Sequence, residues 1–148
     1  MSATDEAAAA LAAMRESRER LAQAVDCPPQ RHLAFAGLLG TLVAAQAAPP
    51  LIGIAIEMLV LVGILAVIAW DRRRTGMFIN GYRAGATRFV TFALLAFALT
   101  SLCLGIWLKE DEHVAWAPLA LGALVAVVAY YASALWQRIY LRELRRTP

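Results

Sequence analysis

The chain has 148 residues, 61% of them hydrophobic and only 17% charged, with a mean hydropathy of +0.60. A soluble domain is about 45–50% apolar and about 25% charged, and at about 150 residues it leaves roughly 30% of its surface in water. So much apolar side chain has no place in one small core, which excludes disorder and a disulfide scaffold, argues against a water-soluble fold and points to a single-domain membrane protein. The formal net charge is +3; of the 14 basic residues Lys109 alone is lysine and the other thirteen are arginine. With the Ala- and Leu-rich composition, that usage suggests a GC-rich bacterial genome. Cys27 and Cys103 have no metal-site spacing, and a disulfide between them is not expected.

Residues 1–30 read as a cytoplasmic helix and linker. Ser2 or Thr4 can cap the helix, and Asp5 and Glu6 sit where its dipole favours negative charge. Arg15 with Glu19 and Glu16 with Arg20 are spaced to pair on the surface. Ala7, Leu11, Met14, Leu21 and Val25 form a narrow apolar stripe interrupted by Arg18, and Cys27-Pro28-Pro29 ends the helix. The stripe suits the membrane surface, the protein's own bundle or a second copy. No secretory signal is expected, because the segment opens on acids and lacks an apolar core.

A membrane domain is predicted over 31–138, with apolar runs at 33–48, 51–70, 89–107 and 117–136. A spanning helix needs about 17–25 mainly apolar residues. The last three runs fit directly; the first is short before Pro49-Pro50 and needs its polar edge or a thinned bilayer. None carries the charged face of a soluble helix. The fold class expected is therefore all-α, a polytopic bundle of four transmembrane helices plus the N-terminal amphipathic helix. Three spans with the first run re-entrant or interfacial is the alternative.

With four spans, all thirteen arginines fall on one side. They precede the first run, fill the loop between the second and third, and follow the fourth in a basic tail over 139–148. The positive-inside rule then makes both termini cytoplasmic in a bacterial inner membrane. Trp70 and Trp136 fall at cytoplasmic ends and Trp107 and Trp116 at outer ends, as interface anchors. Ala36, Gly40, Ala44 and Ala48 in the first run, and Gly122, Ala126, Tyr130 and Ala134 in the fourth, recur every four residues, a spacing that lets helix backbones approach in lipid. The matching Pro-Leu starts and Trp-X-Arg ends of the second and fourth runs reflect membrane grammar rather than duplication.

Glu57 is the ionisable residue that stands well inside an apolar run, about 9 Å below the outer boundary at 1.5 Å per residue. A carboxylate there must be protonated, paired or facing a cavity. Thr100 and Ser101 in the third run, and Thr41 and Gln46 in the first, are its candidate partners, together an intramembrane polar site. Helix-gluing hydrogen bonding is the reading favoured over a proton or cation site. His113 is a loop histidine and builds no metal site alone.

The middle loop, residues 71–88, is the most distinctive segment. Arg72, Arg73, Arg74, Arg83 and Arg88 can meet lipid phosphates while Phe78, Ile79 and Tyr82 dip into the interface. It has no phosphate-loop signature and is too small for a nucleic-acid domain. Arg74-Thr75-Gly76, Gly81-Tyr82-Arg83, Gly85 and Thr87-Arg88, between two hairpins and behind an Ala/Arg/Glu-rich helix, resemble small four-helix membrane proteins of GC-rich bacteria. That group carries no assigned activity, so the resemblance implies only the layout. Small multidrug transporters also have four spans and one membrane Glu, but theirs lies in the first span and their chains lack the N-terminal helix.

Catalysis is not expected. Ser133 has no His and acid nearby in sequence, Cys103 lies in an apolar run, and no cofactor or metal cluster is visible. The function expected is a non-catalytic accessory or interaction protein anchored by anionic lipid head groups, with no nucleic-acid partner. It associates with copies of itself or with another membrane protein. The alternative is a small oligomeric transporter or channel that uses Glu57 as a proton or cation site.

Overall fold

A computed structural model of the chain describes residues 3–24, 28–75 and 87–146, and every regular element in them is helical. In chain order these are α1 (Ala3–Ala24), α2 (Pro29–Ala44) running into a 3₁₀ turn (Ala45–Ala47), α3 (Pro50–Thr75), α4 (Thr87–Glu110) and α5 (Ala117–Arg146). Three of the starts share one cause. Pro29, Pro50 and Pro118 stand in the first turns of α2, α3 and α5, where a missing N–H costs nothing and a fixed φ suits the helix.

Three helices are long and apolar enough to cross a membrane: Pro50–Arg73, Thr87–Glu110 and Ala117–Arg142. Of the four spans expected, the first apolar run is not among these three. The first run, 33–48, yields 16 α-helical residues, a rise of about 24 Å against a hydrocarbon core of about 30 Å. The reason is the Pro49-Pro50 pair. Neither residue has an N–H to continue the α-helical ladder, so the chain tightens instead, with the Ala48 N–H bonded to the Ala45 carbonyl at 3.0 Å. Ala48 itself is extended, and α3 starts at once. The last helix extends beyond its apolar run. Instead of stopping near 136, the helix carries on to Arg146, through most of the basic tail.

The helices pair as two antiparallel hairpins, α2–α3 and α4–α5, docked through α2 and α5. α3 meets the rest of the fold through α2 and the 3₁₀ turn, while α4 flanks α5 and also reaches α2. α2 and α5 run antiparallel. His32 at the start of α2 meets Ser133 late in α5, and Gly40 and Ala44 meet Gly122 near its start.

The two small-residue stripes face each other across this seam. A Cβ added to Gly40 would lie 2.7 Å from both the Ala126 Cβ and the Gly122 carbonyl oxygen, and one added to Gly122 would lie 2.7 Å from the Ala44 Cβ and the Gly40 oxygen. Ala36 and Ala45 are buried on the same side. Below the seam Val43, Ala98 and Val125 make the core, with Leu39, Phe97, Leu102 and Leu121 packed on it. α4 closes against α5 where Gly105 approaches Pro118, a Cβ there lying 3.5 Å away.

Elsewhere the large apolar side chains point outward. On α3, Leu51 is 82%, Leu59 70% and Leu65 66% exposed, and Phe89 on α4 is 66% exposed. A helix apolar on every face and covered on one only is suited to lipid. Helix α1 touches α5, and residues 5–14, including Leu11 and Met14 of its apolar stripe, are exposed.

Candidate functional site

Polar side chains gather at the two ends of the bundle. At one end stand the close of α2, the start of α3, the close of α4 and the start of α5. Here Glu57, half-buried on α3, accepts a 2.6 Å hydrogen bond from the Gln46 Nε2 amide in the 3₁₀ turn. The proline pair prepares the rest of the cluster. The Gln46 carbonyl would normally bond the N–H three or four residues on, but those residues are Pro49 and Pro50. It is an orphan acceptor at a helix end, where the macrodipole also makes it electronegative. Lys109, in the last turn of α4, supplies the donor: its Nζ lies 2.6 Å from the Gln46 oxygen and 3.2 Å from the Ala48 oxygen. Gln46 thus joins three elements, holding Glu57 of α3 with its side chain and Lys109 of α4 with its backbone.

The chain then reverses through 111–116. His113 adopts φ 57°, a left-handed conformation uncommon outside glycine, and the Val114 N–H reaches back to the Leu108 carbonyl at 2.8 Å. His113 is exposed.

The opposite end carries the arginines. Arg31 at the start of α2 pairs with Asp71 at the close of α3 at 2.7 Å, with both side chains about three-quarters covered. This fastens the open end of the α2–α3 hairpin. One residue on, the buried His32 shares a 2.7 Å hydrogen bond between Nδ1 and the Ser133 Oγ. The His32 ring stands edge-on to Tyr130, 6.2 Å between centroids. Gln137, one turn past Ser133, is buried too. Ser133 therefore has a histidine beside it in space, though none near it in sequence. The bond links α2 to α5.

The residues expected to form an intramembrane polar site part company. Glu57 and Gln46 meet. Thr41 is exposed on α2, and Thr100 is exposed on α4. Ser101 is buried on α4, a helix that α3 does not lie along. The partner of Glu57 comes instead from the turn that joins its own hairpin.

Of the expected lipid-phosphate contacts, Arg72, Arg73 and Arg88 are exposed at the arginine end, and the Arg88 guanidinium lies 5.1 Å over the Phe89 ring. The Arg74 side chain, Arg83, Phe78, Ile79, Tyr82 and Cys27 lie outside the described residues. Arg138 and Arg142 are exposed one turn apart on α5. Trp70, Trp107 and Trp116 are exposed at helix ends, and Trp136 stacks on Tyr140 at 5.3 Å, with the rings 8° from parallel.

Sequence reasoning missed Lys109 as a cap, the Arg31–Asp71 pair and the His32–Ser133 bond. The first had a readable signal, two prolines that strip donors from a helix end. The last joins residues 101 apart and left none. Among the described residues no three His, Cys, Asp or Glu side chains gather to hold a metal, and Cys103 is a free, exposed thiol. Comparison with protein-family models, curated proteins and solved structures finds no match.

Proposed function

We propose that the chain is a non-catalytic accessory or interaction protein of the bacterial cytoplasmic membrane, crossing it four times and anchored by anionic lipid on its cytoplasmic side. The observation that carries this reading is the division of its surface. Large apolar side chains cover the outward flanks of α3 and α4, and exposed arginines collect at one end.

Support for a fourth crossing comes from α2. Its helix and 3₁₀ turn together rise about 30 Å, and it lies along α5, which is long enough to cross. A crossing α2 places Arg31, Arg72, Arg73, Arg88, Arg138 and Arg142 on one side, as the positive-inside rule asks of a cytoplasmic face. Both termini are then cytoplasmic, and α1 rests at the membrane surface with Leu11 and Met14 toward lipid. This layout is also that of the small four-helix bacterial membrane proteins which the middle loop resembles.

An accessory role suits the interior polar groups better than catalysis does. His32, Ser133, Gln46 and Glu57 are spent on bonds between helices, which act as glue in lipid. Partners are anionic head groups together with a second copy or another membrane protein.

The test is lipid retention. Each juxtamembrane arginine contributes about 1 kcal/mol near a negatively charged leaflet. Replacing Arg72, Arg73 and Arg74 by Gln is expected to reduce the phosphatidylglycerol retained over phosphatidylcholine in native mass spectrometry. Unchanged selectivity contradicts the anchoring role.

A further inference from the structure

The proline-broken end of α2 has the chemistry of a cation site. Two backbone oxygens, those of Gln46 and Ala48, point at one ammonium group, the Lys109 Nζ, at 2.6 and 3.2 Å. They are fixed in place without reference to it. Pro49 and Pro50 deny the Gln46 oxygen its helical donors, and the extended backbone at Ala48 (φ −74°, ψ 161°) turns that residue out of the helix. Unwound carbonyls at a helix C-terminus are the groups with which membrane proteins hold monovalent cations.

We propose that this end of α2 binds a monovalent cation of the primary alkylammonium kind, and that Lys109 occupies the site as a tethered ligand which a free cation can replace. The inference goes beyond the accessory role proposed above and does not depend on it. Charge selects the class. Glu57 accepts a 2.6 Å hydrogen bond from the Gln46 side chain, which ties a single acidic side chain to the residue whose carbonyl faces Lys109, the match for a single positive charge. A divalent ion is held with more negative charge or more oxygen ligands than this end supplies, and among the described residues no three His, Cys, Asp or Glu side chains gather. The occupant present selects an ammonium, which gives each carbonyl a directed N–H.

Access and attraction come from the same end of α4. Lys109 is half-buried, and the next three residues, Glu110, Asp111 and Glu112, are exposed acids that raise the local concentration of cations. Lys109 is joined to the site by a flexible four-carbon stem, so it can leave without moving a helix.

The experiment is chemical rescue of Lys109→Ala in the full-length chain in lipid nanodiscs, followed by thermal unfolding. Ethylammonium chloride is titrated against sodium chloride and choline chloride at equal ionic strength. The expected result is a lowered melting temperature in Lys109→Ala that ethylammonium restores in most part and saturably, with choline inert and the wild type responding to ethylammonium only at higher concentration, because its tethered lysine competes for the site. A saturable rise with sodium in place of ethylammonium overturns the choice of an alkylammonium. Equal responses to all three salts, or none, overturn the proposal. If the alanine variant does not fold, its refolding in ethylammonium but not choline is the same result read another way. If it refolds in no salt, Lys109→Gln, which keeps an N–H donor for the carbonyls, is titrated instead, and no ethylammonium response there overturns the proposal. Adding Glu57→Gln to Lys109→Ala is expected to weaken ethylammonium about tenfold, equivalent to about 1.4 kcal/mol. An unchanged midpoint overturns the charge-balance argument on which the choice of a monovalent cation rests.

Discussion

Helices α2 and α3 are neighbours in sequence and both are apolar, yet they meet their surroundings in opposite ways. α2 turns its small residues inward. Ala36 and Gly40 are buried against α5, and backbone comes within contact distance of backbone at Gly40 and Gly122. α3 turns large residues outward, with Leu51, Leu59 and Leu65 among the most exposed side chains of the chain. In water the larger side chains would be inside. In lipid a leucine gains nothing by leaving the solvent, so contact area and close approach decide which face packs. The contrast teaches that in this protein residue size, not hydrophobicity, marks the protein-facing side.

The sharpest way to break that contrast is to enlarge a small residue in the seam. Gly40→Leu has no free volume, because even the first added carbon would stand 2.7 Å from the Gly122 oxygen and the Ala126 Cβ. Overpacking of this sort costs about 1–3 kcal/mol and more where backbone is the obstacle. We expect the largest loss of all single changes, read as a lowered midpoint in detergent-titrated unfolding, with Gly122→Leu alike.

Next come the polar links between helices, which in membranes contribute about 0.6–2 kcal/mol each. Glu57→Leu removes the acceptor of the Gln46 amide and is expected to cost within that range. Glu57→Gln keeps an oxygen for the same bond and is expected to cost less than Glu57→Leu. Proton-driven flux in liposomes that is present in wild type and lost in Glu57→Gln at equal stability would favour the transporter reading instead. For His32 and Ser133, a double-mutant cycle with alanine at both positions is expected to show coupling of about 1 kcal/mol, the evidence that the 2.7 Å contact binds α2 to α5.

The Arg31–Asp71 pair should matter less. About a quarter exposed, it is expected to show a coupling of about 0.2–1 kcal/mol in the cycle of Arg31→Gln with Asp71→Asn, shrinking as salt is raised. The smallest effect is expected on the exposed flank of α3. Leu59→Ala should stay within about 0.5 kcal/mol of wild type, and a larger cost would mean that a protein surface rather than lipid covers Leu59.

Much of the fold was legible because its signals are local. Prolines mark the helix starts, apolar runs mark the long helices, and the four-residue spacing of Ala36, Gly40 and Ala44 against Gly122 and Ala126 marks the seam. One local signal was incomplete. The run at 33–48 has the composition of a span, but Pro49-Pro50 shortens the α-helix within it and turns its last residues into a 3₁₀ turn. The site was half legible. Glu57 stood out because a carboxylate in an apolar run must be accounted for, and Gln46 was among its candidate partners. Thr100 and Ser101 were reasonable by depth, but depth does not say which helices are neighbours, and α3 lies on α2 rather than along α4. Arg31, His32 and Lys109 found partners through that same helix order, which no local pattern encodes.

The central claim is that α2 crosses the membrane beside α5, so that its two ends lie on opposite sides. Single cysteines at Gln30, Ala48 and Asp111, in a background lacking Cys27 and Cys103, are labelled with an impermeant thiol reagent in intact cells and again after permeabilisation. The account predicts that Ala48→Cys and Asp111→Cys label in intact cells and Gln30→Cys only after permeabilisation. Labelling of Gln30→Cys and Ala48→Cys from the same side would contradict it.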